Sequence, residues 1–172
     1  MSGVRLGGLQ RGHRPRLQEI LEATNSFRDD EIVVALELFD ESCKPAVHVP
    51  FDPGAGIASY EFIGAFAREG ELLGYACYGA TPGTDGTYDL YWIAVHPEYQ
   101  GTGSGSRLLD EVERRLNERE ARLLIVETSA RIDYESTRRF YERRGYAEHA
   151  RLNDFYAFGD DRVIYAKRLV SS

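Results

Sequence analysis

The most constraining feature of this sequence is a glycine-rich hexapeptide set between an apolar run and a helical pattern. The hexapeptide is Gln100-Gly101-Thr102-Gly103-Ser104-Gly105, and residues 88–95 before it are rich in aromatic and β-branched residues. Apolar residues recur at helical spacing after it, at Leu108, Leu109, Val112 and Leu116. A helix that starts at such a turn offers free backbone N–H groups to a phosphate or pyrophosphate. A plain flexible turn would explain the glycines alone equally well.

Two known phosphate-binding loops differ from this turn. A nucleoside triphosphate loop has Lys and Ser or Thr after its last glycine, whereas Ser106 and Arg107 follow Gly105 here. A dinucleotide fingerprint has the spacing Gly-x-Gly-x-x-Gly, whereas Gly101, Gly103 and Gly105 alternate with single residues. Neither loop matches the sequence.

The turn and its flanks resemble a known signature. Residues 93–105, Ile-Ala-Val-His-Pro-Glu-Tyr followed by the hexapeptide, resemble the acetyl-CoA signature of the GNAT superfamily of N-acetyltransferases. Residues 123–128 look like the next strand of that family, and Phe140 to Tyr146 look like its helix-ending motif. The resemblance covers roughly residues 60–170 and implies acetyl-CoA as the co-substrate.

The apolar patterns and the resemblance together predict the fold. Strands are predicted at 4–10, 61–68, 71–78, 87–95, 122–128, 146–155 and 162–169. Helices are predicted at 16–27, at 29–39 with an acidic first turn at 29–31, at 104–120, and from near Tyr134. A helical crossover joins 87–95 to 122–128, so these two strands should be parallel. We expect an α/β (α+β) GNAT fold: a mixed, mostly antiparallel twisted sheet of about six to seven strands with helices on both faces. Its central βαβ unit would carry the acetyl-CoA site, and residues 1–172 would form one domain.

The resemblance also implies which residues hold the cofactor. Backbone groups of Ala94 and Val95 would pair with the pantetheine arm. The pyrophosphate would lie on the turn, against Gln100, Gly101, Thr102, Gly103, Ser104, Gly105 and Ser106. Tyr141 matches the tyrosine of the family motif Phe-Tyr-x-x-x-Gly, so it would bind the cofactor and protonate the departing thiolate. A phenol with a pKa of about 10 keeps its proton at neutral pH. The alternative role for Tyr141 is a core aromatic, because Thr137 and Phe140 share its helical face.

Two carboxylates are candidates for the base that takes the proton of the acceptor amine. Asp89 lies six residues before Val95, and strict alternation would place both on one strand face with Tyr91 and Ile93. Asp89 could equally be a strand-end residue that continues a polar loop. Glu127, at the end of the neighbouring strand, is the second candidate and could act through water.

The implied activity is N-acetyl transfer. Acetyl-CoA would donate its acetyl group to a primary amine of a small-molecule or amino-acid-like acceptor, by direct attack in a ternary complex. One alternative is a non-catalytic acyl-CoA-binding or interaction module on the same scaffold. Another is a protein-lysine or N-terminal acetyltransferase.

Two acidic features near the implied site need separate interpretations. Asp133 stands where the family commonly has Asn, so a helix-capping role suits it better than a cofactor contact. A late acidic loop with Asp154, Tyr156, Asp160 and Asp161 would lie beside the acceptor and could bind a cationic amine. A solvated hairpin loop is the alternative for that segment.

Composition limits the remaining functions. The net charge of −7 argues against a nucleic-acid surface. No run approaches the ~18 apolar residues of a membrane span. Cys43 and Cys77 have no metal-ligand spacing, so we expect no metal, and a buried thiol suits a reducing compartment, by default the cytoplasm. A homodimer through the late strands or the Pro-rich segment 42–59 stays open.

Overall fold

The computed structural model describes residues 3–44 and 60–169 of the 172-residue chain. Most of the predicted segment 42–59 therefore lies outside the described residues. The strands are β1 Arg5–Gly7, β2 Glu61–Phe66, β3 Leu72–Ala80, β4 Thr87–Val95, β5 Leu123–Ser129, β6 Ala147–Ala157 and β7 Asp160–Arg168. The α-helices are α1 Arg14–Thr24, α2 Asp29–Ser42, α3 Ser104–Glu118 and α4 Glu135–Arg143. Short 3₁₀ helices lie at Arg11–His13, Pro97–Tyr99 and Ile132–Tyr134.

The strands form one seven-stranded sheet in the order β1-β2-β3-β4-β5-β7-β6. Its neighbours are antiparallel except β4 and β5, which are parallel because α3 carries the chain back between them. The fold predicted from the sequence, a mixed and mostly antiparallel sheet with a central βαβ unit, is confirmed.

Helices cover both faces of the sheet, and each face has its own core. On one face α3 buries Leu108, Leu109, Val112 and Leu116, which pack with Leu124 and Val126 of β5 and with Tyr141 of α4. On the other face α1 and α2 bury Leu17, Ile20, Leu21, Leu36 and Phe39 against Tyr75 and Ala94 of the sheet. The helical periodicity read from the sequence therefore marks real buried stripes.

A tight connection between α1 and α2 brings residues 25–28, the α1–α2 loop, over one end of the sheet. Asn25 adopts a left-handed conformation with a φ of 50° and ends α1. The Arg28 backbone N–H donates to Glu31 Oε2 at 2.8 Å, and Asp29, Asp30 and Glu31 fill the first turn of α2. Acidic groups at a helix N-terminus are favoured by its dipole.

The two central strands separate part of the way along their length. Residues Thr87–Leu90 of β4 pair with Leu123–Val126 of β5, and the pairing ends there. β4 continues to Val95 and β5 to Ser129, so their last residues diverge as the two arms of a V. The backbone of β4 beyond Leu90 consequently has no ladder partner in β5.

A β-bulge in β4 changes the direction of its side chains. Cys77 of β3 pairs with Trp92 and Tyr78 pairs with Leu90, so Tyr91 is an extra residue in β4. Leu90 and Ile93 consequently share the α3 face although they are three residues apart. The alternation predicted for Asp89, Tyr91, Ile93 and Val95 is therefore wrong, because the bulge turns Asp89 to the α1–α2 face.

Candidate active site

The glycine turn presents backbone amides at the start of α3. Gly101 and Gly103 have φ angles of 74° and 86°, which favour glycine, and open space lies where their Cβ atoms would be. Gly103 is the N-cap of α3 and has no side-chain capping bond. The first N–H groups of the helix thus face outward without an intrahelical partner. This arrangement can receive an anion.

Side chains of the turn fix its shape. The Thr102 hydroxyl donates to the Tyr99 carbonyl at 2.6 Å and lies 2.9 Å from Ser104 Oγ. The Gln100 side-chain amide donates to the Val95 carbonyl at 3.0 Å, so it ties the turn to the end of β4. The Ser106 carbonyl accepts from Arg144 at 3.3 Å. These contacts leave the backbone N–H groups as the groups that can bind an anion.

A cleft of about 160 Å³, which we call the narrow cleft, fills the V between β4 and β5. Ala94, Val95 and Gln100 line it from the β4 side, and Tyr141 lines it from α4. Tyr141 is 3% exposed, and burial raises the pKa of its hydroxyl well above the ordinary value. The phenol therefore holds its proton at neutral pH and can donate it.

A larger cavity of about 460 Å³, the main cavity, lies on the α1–α2 side of the same strands. Its polar lining includes Asp89, Glu127 and Asp160, and its aromatic lining includes Trp92 and Tyr156. The narrow cleft and the main cavity share lining residues of both strands, such as Leu90, Trp92 and Thr128. The two spaces therefore meet where the strands part.

The two candidate carboxylates both line the main cavity but have different partners. Asp89 Oδ2 accepts a hydrogen bond of 2.6 Å from the Thr81 hydroxyl. Burial, with the Asp89 charge as a smaller cause, raises the pKa of Tyr91 to about 12, which marks the two side chains as neighbours. Glu127 forms an ion pair with Arg162, so protonation of Glu127 would break that pair.

The main cavity has a roof made by elements far apart in the chain. The Tyr134 hydroxyl hydrogen bonds to the Ser26 carbonyl in the α1–α2 loop. The Arg28 guanidinium lies 6.0 Å from the ring centroid of Tyr156 in β6. Burial raises the pKa of Tyr134, so its hydroxyl stays a donor at neutral pH. These contacts enclose the cavity on the side away from the sheet.

The predictions for the acidic residues outside β4 and β5 agree with the structure for some residues and disagree for others. Asp133 does not cap α4: it lies in the preceding 3₁₀ helix and pairs with Arg131 at 2.8 Å, so the capping prediction is wrong. Asp160 reaches the main cavity and accepts a hydrogen bond from Ser129 Oγ. Asp154 and Asp161 instead bind within the β6–β7 hairpin, where Asp154 Oδ1 accepts from the Gly159 N–H at 2.6 Å.

Several lining residues were not identified from the sequence. Trp92 is the single tryptophan of the chain and could have been singled out as a large side chain next to Asp89. Tyr134, Arg162 and Thr128 carry no local signal, because their neighbours come from other strands and loops. Within the described residues no cluster of three or more His, Cys, Asp or Glu could hold a metal ion. No helix in that part of the chain is long and apolar enough to cross a bilayer.

Comparisons with known proteins agree on one family. The acetyltransferase (GNAT) family model matches residues 21–146, and the chain belongs to that family. A solved structure from Desulfovibrio desulfuricans, described as a member of the GNAT family, is 39% identical with a TM-score of 0.83, covering 99% of this chain and 100% of that one. The Escherichia coli ribosomal-protein-S18-alanine N-acetyltransferase is 18% identical with a TM-score of 0.75 and coverages of 99% and 96%. An aminoglycoside 6′-N-acetyltransferase complexed with coenzyme A is 17% identical with a TM-score of 0.70 and coverages of 96% and 97%. No curated protein gives a significant sequence match.

Proposed function

We propose that this acetyltransferase moves an acetyl group from acetyl-CoA to a primary amine of a small-molecule or amino-acid-like acceptor. The observation that carries the proposal is the junction between the two spaces. A narrow cleft that reaches Gln100 at the glycine turn opens, where β4 and β5 part, into a partly open cavity of about 460 Å³. A thioester held in the first space and an amine held in the second would meet there.

The residues around the narrow cleft suit acetyl-CoA. The outward N–H groups from Gly101 to Ser106 would hold the pyrophosphate, and the end of β4 around Ala94 and Val95, which β5 does not pair, would hold the pantetheine arm. Open space beside Gly101 and Gly103 allows the close approach that this requires. When bound, acetyl-CoA supplies an activated acetyl group.

Asp89 is our candidate for the group that takes the proton of the acceptor amine. It lines the main cavity, and the Thr81 hydroxyl fixes the orientation of its carboxylate. Glu127 is the weaker candidate, since it would have to leave Arg162 to accept a proton. Tyr141 is our candidate proton donor to the leaving thiolate, because its buried phenol stays protonated. Such groups contribute roughly 10²–10⁴-fold in rate.

The contacts that form the roof over the main cavity are an argument for a slender acceptor. The Tyr134–Ser26 and Arg28–Tyr156 contacts cover part of the main cavity, which favours a slender acceptor over a folded protein surface. The coenzyme A complex among the similar structures acts on an aminoglycoside, whereas the E. coli enzyme modifies a protein alanine. We favour the first kind of acceptor. A protein-lysine or N-terminal acceptor and a non-catalytic acyl-CoA-binding module remain the alternatives.

Three broader expectations from the sequence also stay proposals. A single domain over residues 1–172 is supported by the Desulfovibrio structure, which covers nearly the whole of both chains. A homodimer is supported by the edge strand β6, which exposes Leu152, and by exposed Phe158 beside it. A reducing location such as the cytoplasm is supported by the free thiols of Cys43 and Cys77.

The test is release of free CoA thiol from acetyl-CoA in the presence of a panel of small amines, amino acids and lysine-containing peptides. We expect release with a small amine, and an approximately 10–100-fold lower kcat in Asp89→Asn than in wild type. Glu127→Gln serves as the matched carboxylate variant, and its kcat should fall less than that of Asp89→Asn. Binding of acetyl-CoA without release in any amine would favour the binding module, and release with peptides alone would favour a protein acceptor.

A further inference from the structure

Thr128 is a buried hydroxyl without a partner, and it lies where the narrow cleft meets the main cavity. The residue is 6% exposed, and within the described residues its Oγ1 atom has no hydrogen-bond partner. Leaving a buried hydroxyl unpaired is unfavourable for the folded protein. A bound ligand that hydrogen bonds to the Thr128 hydroxyl would remove this unfavourable contribution.

The position of Thr128 on β5 indicates which ligand group that is. Side chains alternate along the strand, so Thr128 shares a face with Leu124 and Val126, which pack on the side of α3 and α4. Tyr141 of α4 packs on that face. Val126, Thr128 and Tyr141 line the narrow cleft. Ile125, Glu127 and Ser129 alternate with these residues and line the main cavity, which Thr128 also borders. The Thr128 side chain therefore lies on the α3 face of β5, at the inner end of the narrow cleft where it meets the main cavity.

We propose that the Thr128 hydroxyl binds the thioester end of the pantetheine arm, at the acyl carbonyl or the nearest amide. This inference rests on the proposed function. A threonine hydroxyl can donate to a carbonyl or accept from an amide N–H, and both groups occur at that end of the arm. Rotation about χ1 exchanges the hydroxyl with the methyl group, so the enclosed Oγ1 can meet an entering ligand without backbone movement.

The test compares Thr128→Val, which keeps the shape and removes the hydroxyl, with Thr128→Ser, which keeps the hydroxyl. Calorimetry measures the affinity for acetyl-CoA and for ADP, which can occupy only the pyrophosphate end. We expect Thr128→Val to weaken acetyl-CoA binding about 3–10-fold and to leave ADP binding unchanged, while Thr128→Ser stays within about 2-fold of wild type.

The melting temperature without ligand gives an independent readout. Thr128→Val should raise it by about 2–4 °C, because the unpaired buried group is gone. Thr84→Val is the control, since that hydroxyl already donates to the Thr81 carbonyl at 2.7 Å and its loss should bring no gain. A lower melting temperature with unchanged acetyl-CoA affinity in Thr128→Val would overturn the inference alone. Failure of wild type to bind acetyl-CoA and ADP would overturn the proposed function together with it.

Discussion

The Tyr134 hydroxyl binds the Ser26 carbonyl across 108 positions of the chain, and this contact joins the start of α4 to the α1–α2 loop. It forms part of the roof over the main cavity without touching the glycine turn. Both residues also line the narrow cleft, so loss of this contact should affect the acceptor more strongly than the cofactor.

Tyr134→Phe should weaken acceptor binding, because the ring stays while the tie to the loop is lost. We expect the KM for the amine to rise about 3–10-fold, as for the loss of one hydrogen bond, with a smaller change in the acetyl-CoA affinity. Steady-state kinetics with each substrate varied measures both. Tyr99→Phe is the control, since that hydroxyl binds Glu71 at 2.9 Å on the surface. Equal effects of the two variants would contradict a role for the roof.

Tyr141→Phe should lower kcat more than it weakens the affinity for the cofactor. The buried phenol is the proposed proton donor, and its removal is expected to cost about 10–100-fold in acceptor-dependent thiol release. Tyr146→Phe is matched, because its ring lies 5.6 Å from that of Tyr141 while its hydroxyl binds Glu113 at 2.9 Å. That control should lose about 1 kcal/mol of stability and keep its kcat. A wild-type kcat in Tyr141→Phe would leave Tyr141 as a core aromatic.

Gly103→Ala should damage the cofactor site beyond its effect on folding. Alanine at a φ of 86° is strained by about 1 kcal/mol or more, and relief of that strain would turn the amides of the α3 N-terminus. We expect at least a ~10-fold weaker acetyl-CoA affinity by calorimetry. Gly83→Ala carries similar strain at a φ of 73°, with open space around it, in the β3–β4 loop. It should lower the melting temperature and leave the affinity intact.

Glu111 should contribute acid-sensitive stability. Its hydrogen bond with Arg114, helped by Arg115, lowers the pKa of the carboxyl to about 2 in the folded protein, against about 4.3 in an unfolded chain. The contribution is present above the unfolded value and is lost as the pH falls through about 2. Urea unfolding should show that the difference between wild type and Glu111→Gln shrinks between pH 5 and pH 2. Glu118→Gln, at a more exposed partner of Arg114, should show a smaller difference throughout.

The two thiols should react differently. Cys77 is buried and burial raises the pKa of its thiol, whereas Cys43 is half-buried. A disulfide reagent should therefore modify one thiol per folded chain and both after denaturation, as counted by mass spectrometry. Rapid modification of Cys77 in the folded protein would show that the central sheet opens readily.

The sequence predicted the sheet and the glycine turn before α3 well, because both depend on local patterns. The glycine spacing, the strand before it and the apolar stripe from Leu108 to Leu116 lie within one continuous stretch, and the structure has a strand, a turn and a helix there. The parallel pairing of β4 and β5 followed from the helical crossover alone. Roles of the individual site residues stay predictions.

Features that depend on contacts between distant segments were not predictable. The ion pair of Glu127 with Arg162 requires the register of β5 against β7, which no local pattern gives. The roof requires the α1–α2 loop to meet Tyr134 and Tyr156. The wrong capping prediction for Asp133 has a local origin instead, because the neighbouring Arg131 binds its carboxylate.

The extra residue at Tyr91 also decides how related sequences should be aligned. If side chains are assigned to alternate faces by counting backwards from the glycine turn, the assigned face is correct only as far as Trp92. Before the bulge, each residue of β4 lies on the face opposite to the one that this count predicts. Deleting Tyr91 would restore uniform pairing and keep Leu90 on the α3 face and Asp89 on the α1–α2 face, because Leu90 and Trp92 would then be consecutive residues on opposite faces. A homologue without the extra residue would therefore still present the counterpart of Asp89 to the main cavity, and it should be aligned with a single-residue gap at Tyr91.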